Sequence, residues 1–119
     1  AVKPTLLVMN RAPYAGTLAR AGLDAALAYA AFDQPTSVLF AGPGVLQLAP
    51  AQEPAPIGRK SLRRLIDSMP LYDLEAVYAD ADALARHGLA AGDLPAFVTV
   101  LDAAAQRELQ ERHAHLLSF

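Results

Sequence analysis

The sequence contains no cysteine among its 119 residues. A thiolate is the group that carries a persulfide, attacks a substrate as a sulfur nucleophile or binds a soft metal ion. Without a thiol this sequence offers none of these functions and forms no disulfide.

Long apolar runs and basic clusters are also missing. No apolar stretch approaches the about 20 residues that cross a bilayer, and Thr5–Met9 is too short for the core of a signal peptide. The net charge is -2, and basic residues form no longer cluster than Arg59-Lys60 and Arg63-Arg64. Phosphate-binding surfaces are usually basic stripes, because counterion release drives that binding. We therefore expect a cytoplasmic protein that neither enters a membrane nor binds nucleic acid directly.

The length and apolar content favour one domain that associates with other subunits. No Ser/Gly-rich or charged linker divides the chain, so we expect a single domain over residues 1–119. Hydrophobic residues make up 54% of the sequence. A domain of this size buries about 65% of the surface that its unfolded chain exposes. The excess of apolar residues, although much of it is alanine, predicts a subunit interface.

Short apolar runs alternate with segments of helical periodicity along the chain. The runs predict strands at Leu6–Met9, Ser37–Ala41, Glu75–Ala79, Phe97–Val100 and His115–Phe119, the last at a sheet edge. The periodic segments predict helices within Gly16–Ala31, Leu62–Met69, Asp82–Arg86 and Ala103–Arg112. This alternation predicts an α/β fold, with three α/β/α layers and a mainly parallel sheet of about five strands.

Glycine, proline and aspartate mark the predicted connections. Gly42-Pro43-Gly44 follows the second strand and predicts a turn through which no helix continues. The prolines of Ala49–Gly58 predict a surface loop. Asp102 and Gly88 are expected to cap helices at the amino and carboxyl ends respectively. An alternative function for the Gly42–Gly44 turn is a phosphate or nucleotide loop, although it matches neither standard glycine-rich motif.

A few polar residues could carry chemistry, but each also has a structural explanation. Asp80 and Asp82 flank Ala81 after the third strand and could act as acid and base, or hold a metal with a histidine, as in a small hydrolase. Asp82 is equally suited to cap the following helix. His113 and His115 could form a metal pair, but exposed histidines near the chain end are the simpler interpretation. We predict no catalytic residue, no cofactor site and no metal site.

Several segments, in order, resemble the TusC/DsrF branch of the DsrE-like family. The similar segments are Gly22–Ala25 in the first helix, Gly44–Leu48 after the second strand, Leu71–Glu75 before the third and Leu116–Phe119 at the end. The resemblance implies a non-catalytic subunit that assembles with TusB/DsrH-like and TusD/DsrE-like partners, as a dimer of heterotrimers. It implies a relay in which a cysteine of the TusD/DsrE-like partner passes sulfur through a TusE-like carrier toward 2-thiouridine at the tRNA wobble position. For the DsrF branch it implies dissimilatory sulfur oxidation instead.

Asp80 marks a departure from the sulfur-accepting members of that family. It occupies the place, just after the third strand, where the resemblance puts their cysteine, and a carboxylate cannot form a persulfide. For the subunit contacts we expect contributions from Leu71, Tyr72 and Tyr78, which surround the loop before the third strand. The open alternative is that these three side chains belong to the internal core.

Overall fold

Five parallel strands form the sheet of this protein, in the order β4-β3-β2-β1-β5. The computed structural model describes residues 5–11, 18–32, 35–48, 66–72, 74, 76–113 and 115–119. The strands are β1 Thr5–Met9, β2 Thr36–Phe40, β3 Val77–Asp80, β4 Thr99–Leu101 and β5 His115–Ser118. All four pairings between neighbouring strands are parallel. The predicted number of strands and the edge position of the last one are thus confirmed.

Three α-helices and three 3-10 helices lie wholly within the described residues and connect the strands. The α-helices are α1 Leu18–Ala31, α2 Ala81–Arg86 and α3 Ala103–Glu111. The 3-10 helices are Gly42–Leu48, Met69–Tyr72 and Ala91–Asp93. The longest of the described helices, α1, has 14 residues, and no described helix is long and apolar enough to cross a membrane.

The order of the strands decides which face of the sheet each helix covers. From β1 to β4 every connection steps in one direction, so right-handed crossovers place all of these connections on one face. The step from β4 to β5 runs back across the sheet and places α3 on the opposite face. We call these the α1 face and the α3 face. The resulting three layers confirm the predicted architecture.

Alternate residues of the central strands enter two separate cores. On the α1 face, Leu7, Met9 and Phe40 belong to the larger buried cluster, together with Leu23 of α1. On the α3 face, a smaller buried cluster consists of Leu6, Val8, Leu39 and Leu109. Because β1 and β2 are covered on both faces, they contain the continuous apolar runs Leu6–Met9 and Val38–Phe40, with no alternation of polar and apolar residues.

Two local predictions were wrong in their details. Gly42-Pro43-Gly44 was predicted as a turn without a helix, but it forms the start of the 3-10 helix Gly42–Leu48. Pro43 is the second residue of this helix, where a backbone N–H would have no helical partner, so proline is tolerated there. The fourth strand begins at Thr99, two residues later than predicted. Phe97 and Val98 precede it and pack against the α1-face core, so their apolar character reflects burial and not strand pairing.

Two further predictions fall largely on residues that the structure does not describe. The proline-rich loop Ala49–Gly58 lies outside the described residues. So does the first half of the predicted helix Leu62–Met69; in its second half, Ile66 and Asp67 are helical. Pro70, directly after this predicted helix, lies inside the 3-10 helix Met69–Tyr72.

Candidate functional site at the carboxyl edge of the sheet

Asp80 ends β3 and caps α2 at the edge where parallel α/β sheets place their functional groups. Its backbone is extended, and its Oδ1 atom accepts a hydrogen bond from the backbone N–H of Asp82 at 3.1 Å. The prediction that Asp82 caps this helix was therefore wrong. Asp82 lies in the first turn, with an exposed side chain near the positive end of the helix dipole.

A second donor holds the same carboxylate oxygen. The Nε2 atom of Gln106, in the first turn of α3, lies 3.0 Å from Asp80 Oδ1 and 3.0 Å from the carbonyl oxygen of Leu101. Both neighbours are acceptors, so the two protons of the Gln106 amide are used and its orientation is fixed. This contact joins the start of α2 on one face of the sheet to the start of α3 on the other. The sequence contained no local signal for it.

Asp102 is the second aspartate cap at this edge, and here the prediction is confirmed. It follows β4, and its Oδ1 atom accepts from the backbone N–H of Ala105 at 2.8 Å. The two aspartates therefore satisfy backbone donors that the first turns of α2 and α3 leave without helical partners. Their carboxylates perform a structural task at the place where an enzyme of this architecture would carry its reactive groups.

The structure does not assemble the hydrolytic or metal site that was considered for Asp80 and Asp82. Among the described residues, no group of three His, Asp or Glu side chains is placed to hold a metal ion. His87 caps the far end of α2, where its backbone N–H donates to the carbonyl oxygen of Ala83. His113 lies on the α3 face, where both of its ring nitrogens make hydrogen bonds. No described histidine therefore joins the two carboxylates.

His113 is a structural residue of the α3 face and not a solvent-exposed one, contrary to expectation. Its Nδ1 atom lies 2.6 Å from the carbonyl oxygen of Leu109, and its Nε2 atom lies 2.8 Å from Ser37 Oγ. A carbonyl oxygen only accepts, so Nδ1 carries the proton and, in the neutral ring, Nε2 accepts from the Ser37 hydroxyl. His115, by contrast, is exposed in β5.

The turn after β2 is built for close packing. A Cβ atom at Gly44 would overlap the carbonyl oxygen of Met9. The Gly44 N–H already donates to the carbonyl oxygen of Ala41 at 2.9 Å, so it is not available to a phosphate. Gln47, which is buried, donates from Nε2 to the carbonyl oxygen of Arg11 at 2.8 Å. These contacts argue against a ligand loop. They show that the Gly44–Leu48 segment packs tightly against the end of β1.

The structure brings two of the three predicted interface residues together. Leu71 is 85% exposed and Tyr72 is 46% exposed, and both lie on the 3-10 helix Met69–Tyr72, which packs against α1. Tyr78 lies elsewhere, partly buried against the small cluster of the α3 face. The first two side chains thus form an exposed apolar pair, and the third packs at the α3-face core.

The outer surface of α1 is apolar as well. Arg20 and Asp24 are the only charged residues among its 14. A groove of about 550 Å³ on this helix is lined by Ala25, Ala28, Tyr29 and Phe32, and Phe32 projects into solvent. An exposed helix surface that consists mostly of apolar side chains is often an interaction surface. The α1 side of the molecule therefore has the character of a contact surface.

Comparisons with known proteins identify the family of this chain. A model of the DsrE/DsrF-like family matches residues 3–119. A TusC homolog from Pseudomonas aeruginosa is 37% identical over 113 residues, which cover 95% of each chain. A TusC homolog from Vibrio vulnificus is 38% identical over 112 residues, covering 94% of this chain and 95% of the relative.

A sulfur-oxidation protein and a solved structure extend the comparison. The intracellular sulfur oxidation protein DsrF from Allochromatium vinosum is 36% identical over 93 residues, covering 78% of this chain and 68% of the relative. The crystal structure of the ychN protein from E. coli superimposes with a TM-score of 0.85 over 98% of this chain and 99% of that one, at 14% identity. At that identity the structural match concerns the fold. The family match and the curated relatives together show that this chain belongs to the DsrE/DsrF-like family.

Proposed function

We propose that this chain is a non-catalytic structural subunit of a heteromeric sulfur-relay complex, of the TusC type, which acts in tRNA wobble 2-thiouridine synthesis. The observation that carries the proposal is the 37% identity to a TusC homolog over 95% of both chains. The absence of cysteine supports the non-catalytic part, because a persulfide requires a thiol.

The sulfur-accepting cysteine then lies on a TusD/DsrE-like partner. In this chain, Asp80 takes the corresponding place at the end of β3, where the backbone N–H of Asp82 and the side-chain amide of Gln106 donate to its carboxylate. Asp80 is thus used for structure, and its negative charge would disfavour a thiolate nearby. We propose that sulfur moves from the partner's cysteine to a TusE-like carrier in the cytoplasm. During this transfer it forms no covalent bond with a residue of this chain.

The contact with the sibling subunits is assigned to the α1 side of the molecule. The two faces differ in charge: α1 has two charged residues in 14, whereas α3 has Arg107, Glu108 and Glu111 among nine. The exposed pair Leu71 and Tyr72 lies on the same side as α1. A permanent interface of about 2,000 Å² or more has an apolar core of this kind. Tyr78 is left out of this patch because it packs at the other face.

The complex is proposed to contain TusB/DsrH-like and TusD/DsrE-like subunits as a dimer of heterotrimers. Co-expression of this chain with both siblings from its own genome should give one stable species on size exclusion. After incubation with a cysteine desulfurase and cysteine, intact-mass spectrometry should find a persulfide adduct of about 32 Da on the partner and none on this chain. A stable adduct on this chain, or a chain that stays monomeric beside its siblings, would contradict the proposal.

A second candidate is a DsrF-type subunit in dissimilatory sulfur oxidation, favoured by the 36% identity to DsrF from Allochromatium vinosum. The two candidates differ in the product that is lost when the gene is deleted. Loss of 2-thiouridine from digested tRNA supports the first, and loss of sulfur oxidation with normal tRNA thiolation supports the second. Metal-dependent hydrolysis by the isolated chain would contradict both.

A further inference from the structure

The strand β5 has an outer edge whose backbone groups point away from the protein. Phe119 donates its N–H to the carbonyl oxygen of Val8 and accepts from the N–H of Asn10, both at 2.9 Å. Backbone groups alternate in direction along a strand, so those of Leu117 also face β1. The N–H and C=O groups of Leu116 and Ser118 therefore face outward, beyond the last described strand of the sheet.

Among the residues that the structure describes, this edge shows none of the devices that normally prevent strands from pairing between molecules. Edge strands are usually protected by lysine, proline, a bulge or a covering element. β5 consists of His115, Leu116, Leu117 and Ser118, none of which is lysine or proline, and its register with β1 is regular. Leu116 is 50% exposed and Leu117 is 36% exposed. Within the described part of the chain, the strand therefore presents two leucines and the outward peptide groups of Leu116 and Ser118 to a partner strand.

The opposite edge of the sheet is less suited to the same contact. β4 has three residues, and Asp102 follows it directly. A second β4 brought alongside would place another carboxylate near Asp102 without a basic residue of β4 to compensate. β5 carries no acidic, lysine or arginine side chain, so two copies of it can approach without repulsion between like charges.

We propose that β5 pairs with β5 of a second copy of this chain, in an antiparallel arrangement across a twofold axis. Leu116 and Ser118 of one copy exchange both backbone hydrogen bonds with Ser118 and Leu116 of the other. Leu117 then faces its own equivalent at the axis, as a non-hydrogen-bonded pair with a Cα separation of about 4.5 Å. The same register satisfies both copies at once, which is the property of an isologous contact.

The contact lies at the β5 edge of the sheet, whereas the contact assigned to the sibling subunits lies on the outer surface of α1 and at Leu71 and Tyr72. It does not depend on sulfur chemistry. The Leu117 pair forms on the α1 face of the sheet, because Leu117 is in register with Leu7. The Leu116 side chain lies on the α3 face, in register with Leu6. Four residues from each copy bury less than the about 1,200 Å² of a permanent complex, so the isolated chain should dimerise in a concentration-dependent manner.

Disulfide crosslinking tests the register directly, because the natural sequence supplies no competing thiol. In Leu117→Cys the two thiols meet at the twofold axis within the Cα range that a disulfide spans. Val100→Cys is the matched control, since Val100 is 39% exposed on the other edge strand. Under mild oxidation, Leu117→Cys should form a covalent dimer at least about tenfold faster than the control, because pairing raises the effective thiol concentration. Equal rates would overturn the proposal.

Sedimentation equilibrium with a proline substitution provides the second test. Ser118→Pro removes an outward N–H and leaves intact the donors that face β1. It should abolish the concentration-dependent dimer of the wild-type chain, whereas Ser118→Ala should keep it. Circular dichroism establishes that both variants are folded; if Ser118→Pro is not, Leu117→Lys replaces it. A wild-type chain that stays monomeric at all concentrations, or a dimer that survives a folded proline or lysine variant, would rule out pairing through β5.

Discussion

Gln106 donates its side-chain amide to the carboxylate of Asp80 at 3.0 Å and joins two helices that lie on opposite faces of the sheet. The same Asp80 oxygen caps α2 through the N–H of Asp82. Two donors on one carboxylate oxygen explain why a negatively charged acceptor fits this position. Asp80 is therefore tied into the fold by contacts with α2 and α3.

Replacing Asp80 should separate its capping role from its charge. Asp80→Ala should lower the free energy of unfolding by about 1 to 2 kcal/mol, because it removes the cap and leaves the Gln106 amide without its acceptor. Asp80→Asn keeps a side-chain oxygen and should change stability by less than about 0.5 kcal/mol. Urea unfolding followed by circular dichroism measures both.

Asp82→Ala is the matched control, since Asp82 is exposed in the first turn and is not the cap. It should change stability by less than about 0.5 kcal/mol. In the assembled complex, Asp80→Asn should support normal sulfur transfer. Loss of transfer with assembly intact would show that the charge of Asp80 has a functional role.

His113, which links the end of α3 to β2, should contribute more to stability than His115 of β5. His113→Ala leaves the buried Ser37 hydroxyl and the Leu109 carbonyl without their partner and should cost about 1 to 3 kcal/mol of unfolding free energy. His115→Ala, at an exposed position, should cost less than about 0.5 kcal/mol. Urea unfolding of the isolated chains at low concentration gives both values.

A double-mutant cycle with Ser37→Ala shows whether the two side chains act together. Removing both partners should cost less than the sum of the single changes, by about 0.5 to 1.5 kcal/mol. Strictly additive effects would mean that the 2.8 Å contact contributes nothing of its own.

These residues show which parts of the fold can be predicted from the sequence. Strands such as Leu6–Met9 and helices such as α1 follow from periodicity, because a buried strand and an amphipathic helix space their apolar residues differently. Asp102 could be recognised as a cap because it is the only candidate at its junction. Between Asp80 and Asp82 the choice depended on where β3 ends, and strand boundaries are the least certain feature of a sequence.

Contacts between distant segments could not be predicted in the same way. Ser37 and His113 are 76 positions apart, and nothing in either local pattern indicates the other. The available signal was general: a serine inside a buried strand needs a hydrogen-bond partner. The family resemblance supplied the expected function, because neither composition nor spacing revealed an active site. The exposure of Leu71 and the burial of Tyr78 required the three-dimensional structure.

Gly44 should tolerate no side chain, because its neighbour is a fixed backbone atom. A Cβ atom would overlap the Met9 carbonyl oxygen, which is held in place by a 3.0 Å hydrogen bond from the Ala41 N–H. Gly44→Ala should therefore lower the unfolding free energy by about 2 to 4 kcal/mol. Gly92→Ala is the control, since nothing lies within 4 Å of its Cβ position. Equal thermal unfolding temperatures of the two variants would show that the close packing at Gly44 does not contribute to stability.

The exposed apolar pair on the 3-10 helix Met69–Tyr72 should be needed for assembly and not for folding. Tyr72 is 46% exposed in the isolated chain, so Tyr72→Asp should change its stability by less than about 1 kcal/mol and leave its circular dichroism native. In the complex the new carboxylate would be buried in an apolar contact without a partner, at a cost of several kcal/mol. We therefore expect the variant to elute apart from its siblings on size exclusion after co-expression.

The control for Tyr72→Asp is Gln110→Asp, which adds the same charge at an exposed position of α3, on the opposite face of the sheet. This variant should remain in the complex with wild-type stoichiometry. Release of both variants would mean that added negative charge, and not its position, weakens the assembly. Retention of Tyr72→Asp would exclude Tyr72 from the subunit interface. Phe32→Asp, directly after α1, would then show whether the groove lined by Phe32 makes the contact.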